Sequence, residues 1–591
     1  MLRRKALAIL ISSALFTPFV TTVALATSQA ADSVAPEAAS ATVFKSSVSA
    51  KDYMVAAANP LAANAGYQVL KAGGSAADAL VAVQAMLGLV EPQSSGLGGG
   101  AFLIYYDAKT KQVTTFDGRE TAPLAATPEL FQNADGSSMQ FYDAVVGGRS
   151  VGTPGTVKLL ETVHKRFGSK PWAELLSPAI KQAKQGFTVS ERLAGAIEDD
   201  QERLSRYPDT KAYFFNADDT PLAAGQLLKN QAYANTLATL SSKGADAFYN
   251  GKIAQDIVAR VRSATDNPGV LETRDFAAYQ VKERTATCAP YHQFSVCGMG
   301  PPSSGALTVG QILGIASNFD IKGLGKDSPQ AWQIIGDASR LAFADRGRYM
   351  ADSDYVPMPQ GLLDPSYLGE RAKLITPGTA LTKEQVAAGE PVWGNEAKVA
   401  QADDQSIEFP STSHFVIADK EGNIVSMTTT IENGFGSRLM SNGFLLNNEL
   451  TDFSFESHKD GYPIANRLEP GKRPRSSMAP SIVMKDDSPY MAIGSPGGSR
   501  IIGYVANTLI AHFDWDMDIQ DAINLPHLVN RFGTYDLEQG TSAEQFKDPL
   551  EKMGYDVNIR DLNSGIHAIL LKDGKLVGGA DPRREGEVYG D

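Results

Sequence analysis

The spacing of apolar residues changes period several times along the chain, and each change predicts an element. Residues 54–90 carry apolar positions at helical spacing, interrupted by Gly73-Gly74. They end in the Ala-rich run SAADALVAVQAMLGLV, long enough for a buried helix. AFLIYYD (101–107) and VTTFDGRE (113–120) then read as two strands, entered through the glycine-rich turn PQSSGLGGG (92–100). Segments such as TVKLLETVHKRF, WAELLSPAIKQAKQGF and IAQDIVARVRSAT predict a mostly helical stretch over 153–263. Strands follow over 276–300 and helix again over 305–350. Residues 361–405 are polar and loop-rich. After 411 the pattern turns to short strands and turns, with one helix near 499–513. This order suggests sheet layers covered by helices.

One stretch predicts its own register. HFVIAD (414–419) alternates, KEG (420–422) is a three-residue turn with Gly last, and NIVSMTTTI (423–431) alternates again. A three-residue hairpin loop puts Gly in the left-handed position. Asp419 then faces Asn423 and, counting outward, Thr412 faces Thr430 at the open end. Two facing threonines are an ordinary cross-strand pair, and two adjacent hydroxyls are also a candidate reaction centre. His414 shares the strand face of Thr412. It reads either as a structural side chain or as a general base.

Composition narrows the class. With 43% apolar and 20% charged residues the chain is globular rather than disordered. A formal net charge of −13 argues against nucleic acid and anionic membrane as partners. The seven His and two Cys are scattered, without HExxH or CxxC, so no metal site is expected. The N-terminus reads as a targeting segment: basic Arg3-Arg4-Lys5, a mostly apolar run from Ala6 to Phe19, and the small-x-small site Ala24-Leu25-Ala26. Cleavage is expected after Ala26, with Ala30 or Ala31 as alternatives, giving an exported protein, periplasmic or secreted. The run is short for a membrane anchor, and no later stretch is long enough to span a bilayer. Export favours a bridge between Cys288 and Cys297, in CAPYHQFSVC, over two free thiols.

Two common chemistries find little support. Gly96-x-Gly98-x-x-Ala101 has the spacing of a dinucleotide fingerprint, which needs a strand before it and a helix after it. Here the order is reversed, and a close-approach turn beside the core fits better. GxSxG is absent, and the serine pairs at 94–95, 303–304 and 476–477 are common in turns.

Eight segments together are more specific: EPQSSGLGGGAF (91–102), FDGRE (116–120), SVGTPGTV (150–157), MGPPSSGALT (299–308), STSHF (411–415), LLNNELTDFS (445–454), PGKRPRSSMAPSIV (470–483) and GSPGGSR (494–500). In these segments and their order the chain resembles the γ-glutamyltranspeptidases of the N-terminal-nucleophile hydrolase group, from about residue 45 to 590. The resemblance implies an α+β fold, a four-layer αββα sandwich of two chains cut from one precursor. The parts would be a signal peptide (1–26), a large chain (27–411) and a small chain (412–591). Self-cleavage would fall between Ser411 and Thr412, making Thr412 the nucleophile, with Thr430 hydrogen-bonded to it. The freed α-amine has an ordinary pKa near ~7.7–8 and would take the hydroxyl proton, so no His–Asp pair is needed.

For the donor, the resemblance implies Arg119, Ser476 and Ser477 on the α-carboxylate. Glu432, Glu449 and Asp452 would meet the α-ammonium, and Gly497 and Gly498 would form the oxyanion hole. One ammonium cannot neutralise three close carboxylates, so some are expected to be protonated or paired elsewhere. The implied substrates are glutathione and other γ-glutamyl compounds, with water, amino acids or short peptides as acceptors and no cofactor. Many members carry Asn at 432 and Gln at 449. Glu at both resembles a bacterial branch that includes enzymes acting on glutaryl-cephalosporins, so a glutaryl-cephalosporin acylase is the alternative. A non-catalytic binding protein is disfavoured by Thr412, Thr430, Arg119 and Gly497-Gly498 together. Residues 454–472 fall where some members carry a lid with an aromatic residue, and Tyr462 is the candidate.

Overall fold

The computed structural model describes residues 34–39, 44–394, 397–404, 406 and 408–591. The expected leader (1–26) and its cleavage sites lie outside the described residues. Two seven-stranded antiparallel sheets form the centre. The first runs in the order Glu587–Gly590, Met54–Ala57, Ser413–Ala418, Ile424–Thr430, Gly100–Asp107, Gln112–Gly118, Lys282–Thr285. The second runs Val48–Ala50, Lys575–Ala580, His567–Lys572, Ser488–Gly494, Ser481–Lys485, Phe294–Gly298, Thr287–Tyr291.

Side-chain alternation builds the layers. Phe415, Ile417, Val425 and Met427 pack with Leu80, Val83 and Leu87 of the helix Ala76–Val90 and Leu159 of Thr156–Phe167. Their neighbours Val416, Ala418 and Ile424 point the other way, onto Ile482, Ala492 and Ile569 of the second sheet. On that sheet's far face, Val483, Met491 and Ile493 join the helices Gly305–Ala316, Pro329–Tyr349 and Ile501–Phe513. The result is the αββα sandwich, with the central strands buried on both faces and edge strands such as Lys282–Thr285 exposed.

Local sequence explains the ends of these elements. Gly73 adopts φ +77° and closes the helix Pro60–Lys71. Ser75 and Asp78 form a capping box that starts Ala76–Val90. The helical reading of 54–90 needs one correction: Met54–Ala57 is a strand. Four apolar residues cannot display a period, and ladders to Ser413–Ala418 on one side and Glu587–Gly590 on the other decide the conformation. Cys288 and Cys297 face each other across the hairpin Thr287–Tyr291/Phe294–Gly298 and are bridged. Among the described residues no helix is long and apolar enough to cross a membrane. The strand Ser413–Ala418 lies between Met54–Ala57 and Ile424–Thr430, so pieces cut before Thr412 would still share one sheet.

Candidate active site

The central hairpin has the register the sequence predicts, from Ser413↔Thr429 to Ala418↔Ile424, with Gly422 at φ +87°. Thr412 and Thr430 therefore meet at its open end. Thr412 Oγ1 lies 2.5 Å from Ser411 O and 3.2 Å from Thr430 Oγ1. Thr430 Oγ1 donates to the same Ser411 O at 3.0 Å and accepts from Glu432 N at 2.8 Å. Two hydroxyls thus converge on the carbonyl of the Ser411–Thr412 peptide, and Thr412 is buried. The glycine-rich turn packs against this strand end. A Cβ on Gly99 would lie 2.0 Å from Thr430 O, and Gln93 O accepts the Ser411 hydroxyl at 2.8 Å. This is a close-approach turn.

Gly497 and Gly498 lead into the helix Ile501–Phe513, with φ +137° and +58°. A Cβ on Gly498 would lie 2.7 Å from Phe409 O and 2.9 Å from Glu408 O, so bare backbone abuts the segment just before the threonine. Unpaired N–H groups and the positive end of the dipole at a helix start suit a developing oxyanion. His414 is structural. Its Nδ1 shares a hydrogen bond with Thr428 Oγ1 at 2.9 Å, and its ring packs on Gly494 and near His567 between the sheets. Burial holds its pKa well below the usual histidine range.

One cavity collects the candidates. Arg119, Thr412, Thr430 and Glu432 line it, as do Glu449, Asp452, Ser476, Ser477 and Gly498. Glu408 and Phe409 also line it, and its free volume is only about 20 Å³, room for little more than water. Arg119 is buried and fully engaged. It pairs with Glu449 and, at 2.6 Å, with Asp452, and donates to Arg475 O at 2.8 Å and Pro474 O at 3.2 Å. In the uncut chain, then, two of the acids expected at the ammonium neutralise the arginine expected at the carboxylate. The third, Glu432, accepts from Asn448 Nδ2 and from Phe409 N at 3.0 Å. Burial pushes all three carboxyls well above the usual range, with Arg119 opposing the shift at Glu449 and Asp452. The serine pair is clamped from MGPPSSGALT: Ser304 N donates to Ser476 O at 2.8 Å, and Ser476 N to Pro302 O at 3.1 Å.

A family model described as gamma-glutamyltranspeptidase matches residues 62–591. The chain belongs to the γ-glutamyltranspeptidase family. Among its relatives, a glutathione hydrolase proenzyme of Bacillus subtilis (strain 168) is 38% identical over 91% of this chain and 92% of its own. An acylase ACY 1 proenzyme of Pseudomonas sp. (strain SE83) is 32% identical over 93% and 96%. The solved structure of a cephalosporin acylase from Bacillus halodurans superposes with a TM-score of 0.81 at 25% identity, covering 93% of this chain and 97% of that one.

Within this family frame, the structure adds residues that sequence reasoning did not single out. Glu120, the last residue of FDGRE, is buried beside Arg119, and burial pushes its carboxyl up to about 8. Glu408 pairs with Arg346, whose Nη2 also donates to Ser477 Oγ at 2.9 Å. A second charge cluster grips the backbone around Thr412. Arg584 donates to Thr412 O at 3.1 Å and to Glu37 at 2.7 Å. Arg192 bridges Glu37 and Glu91 at 2.7 and 2.6 Å, and Ser413 Oγ donates to Glu91 at 2.6 Å. Tyr462 does not line the Thr412 cavity. It is exposed and borders a separate cleft with Arg348, Gln401 and Lys459.

Proposed function

We propose that the chain is a glutathione hydrolase and γ-glutamyltransferase that matures by cutting itself between Ser411 and Thr412. Thr412 Oγ1 attacks the Ser411 carbonyl carbon, the C–N bond gives way to an ester, and water releases it. The observation that carries this reading is the 2.5 Å approach of Thr412 Oγ1 to Ser411 O, with Thr430 Oγ1 3.0 Å from the same oxygen. In the mature enzyme the new α-amine of Thr412 takes the hydroxyl proton as Oγ1 attacks the donor's γ-carbonyl. The N–H groups of Gly497 and Gly498 hold the oxyanion, and the ammonium returns the proton to the leaving amine. Water, an amino acid or a short peptide then takes the γ-glutamyl group from the ester. The leader reading favours export to the periplasm or the medium.

A second reading, removal of a glutaryl group from a cephalosporin, is favoured by the likeness to the two acylases. The charge inventory of the cavity speaks for the first. Glu432, Glu449 and Asp452 line the cavity with Arg119, Glu120 lies behind it, and an amino-bearing donor supplies a positive charge that a glutaryl donor lacks. Leaving buried acids unpaired costs about 1–3 kcal/mol, a factor of roughly 5 to 150. Rates on a γ-glutamyl anilide and a glutaryl-cephalosporin, measured side by side, test this. The γ-glutamyl donor is expected to be favoured, and equal or better glutaryl turnover would select the acylase.

A further inference from the structure

Residues 34–38 form neither helix nor strand, yet polar contacts fix them across the protein. Arg500 Nη2 and Arg560 Nη1 donate to Val34 O at 2.9 and 3.1 Å, and Asn563 Nδ2 donates to Ala38 O at 2.9 Å. Val34 itself is buried. Between these anchors Glu37 meets two arginines. Its Oε1 accepts from Arg192 Nε at 2.7 Å and its Oε2 from Arg584 Nη2 at 2.7 Å. One carboxylate thus bridges two buried guanidiniums.

Those guanidiniums hold three successive residues around the Ser411–Thr412 peptide. Arg584 Nη1 donates to Thr412 O at 3.1 Å. Arg192 Nη2 donates to Ser94 Oγ at 2.9 Å, which accepts from Ser411 Oγ at 3.4 Å. Arg192 Nη1 donates to Glu91 Oε1 at 2.6 Å, and the other oxygen of Glu91 accepts from Ser413 Oγ at 2.6 Å. Arg192 keeps Glu91 if Glu37 is lost, but Arg584 does not keep an acid. Among the described residues its other hydrogen-bond acceptors, Thr412 O and Asn563 Oδ1, are neutral. A buried cation without its acid is strongly unfavourable, so Arg584 would shift and take its grip on Thr412 O with it. Burial and repulsion from Arg192 hold the Arg584 pKa below the usual arginine range, and Glu37 opposes both.

We propose that residues 34–38 are an internal ligand of the Thr412 strand end and that Glu37 is a positioning residue. It keeps Arg192 and Arg584 where they fix residues 411–413 for attack by Thr412 Oγ1. The inference rests on the self-cleavage reading above and adds to it a residue from a distant part of the chain. Thr412 O stays with Thr412 after cleavage, so the same grip orients the nucleophile in the mature enzyme.

Two experiments test it. In Thr412→Ala single chains, Glu37→Gln keeps the shape and removes the charge. It should speed amide hydrogen exchange over residues 411–415 by about tenfold, while the helix Gly305–Ala316 exchanges as in its parent. An unchanged rate at 411–415, or a gain spread evenly over the chain, would overturn the proposal. In chains that keep Thr412, the uncut Glu37→Gln precursor should convert to two chains about tenfold or more slower than wild type, and Glu37→Asp should recover part of the loss. Val163→Ala, in the buried face of Thr156–Phe167, lowers stability through a cavity and should leave the cutting rate within about twofold. Cutting of Glu37→Gln at the wild-type rate would overturn the proposal, as would equal slowing by Val163→Ala. A wild-type chain that stays whole would instead reject the self-cleavage reading, and the exchange experiment would then decide whether Glu37 positions the strand end.

Discussion

Two buried charge clusters meet at Thr412, and they are balanced differently. The cluster that grips the backbone sets Glu37 and Glu91 against Arg192 and Arg584, and each carboxylate oxygen has a partner. The cluster at the cavity sets Arg119 against Glu449 and Asp452, with Glu120 behind them and Glu432 held by Asn448 and Phe409 N. There one oxygen of Asp452 has no hydrogen-bond partner, and the Glu120 and Glu449 carboxyls lie against each other, both raised by burial. Matched buried charges act as scaffold. Where buried acids outnumber cations, burial lifts the carboxyls above their usual range, and that imbalance is what the proposed ammonium site would use.

Breaking the matched cluster should have the largest effect on stability. Arg192→Met leaves Glu37 and Glu91 short of a partner inside the protein. It should cost about 3–5 kcal/mol, read from the denaturant midpoint in a Thr412→Ala background so that both proteins are single chains. The same substitution should slow self-cleavage of the Thr412 protein, because Glu91 holds Ser413. A loss below about 1 kcal/mol would remove the distinction between the two clusters.

Thinning the surplus cluster should do the opposite: little to stability and much to turnover. Asp452→Asn should stay within about 1 kcal/mol of its parent, the range of ordinary substitutions. It should cut γ-glutamyl kcat/KM by about 10- to 100-fold and affect glutaryl donors less. Equal losses on the two donors would mean that Asp452 does not read the ammonium.

The smallest effect is a slope with pH. Burial raises the Glu120 carboxyl from 4.5 to about 8. Between those values the folded protein keeps a proton that the unfolded chain has released, so stability falls as pH rises, by less than about 1.4 kcal/mol per unit. Glu120→Gln should flatten that slope. Glu37 behaves in reverse: despite burial, Arg192 and Arg584 hold its carboxyl below 4.5, so its contribution is lost only on acidification. Glu432, Glu449 and Asp452, also raised by burial, add a slope of the same sign, so a slope over pH 5–8 left unchanged by Glu120→Gln would assign it to them alone.

Much of this was legible in the sequence, for physical reasons that also mark the limits. The KEG turn fixed a register that brings Thr412 to Thr430, because a three-residue loop with Gly last has one geometry. The turn of Gly96 and Gly98 read as a close approach, and a Cβ would clash at Gly98, Gly99 and Gly100 though not at Gly96. The acid surplus at 432, 449 and 452 implied protonation or pairing: Glu449 and Asp452 pair with Arg119, and burial raises the Glu432 carboxyl. The strand Met54–Ala57 was hidden because its partners come from the far end of the chain. Arg346 lies in an ordinary-looking helix, and Glu37 in an Ala- and Ser-rich lead-in. Their roles appear only when the fold brings them to Glu408, Arg192 and Arg584.

The account turns on Thr412 becoming the first residue of a second chain. Denaturing electrophoresis of the purified protein, followed by N-terminal sequencing of the smaller band, tests this directly. The predicted result is two bands, the smaller beginning Thr412-Ser413-His414-Phe415, and a single inactive band for Thr412→Ala. A smaller chain that begins at any other residue, or an uncut wild-type chain with full activity, would contradict the account.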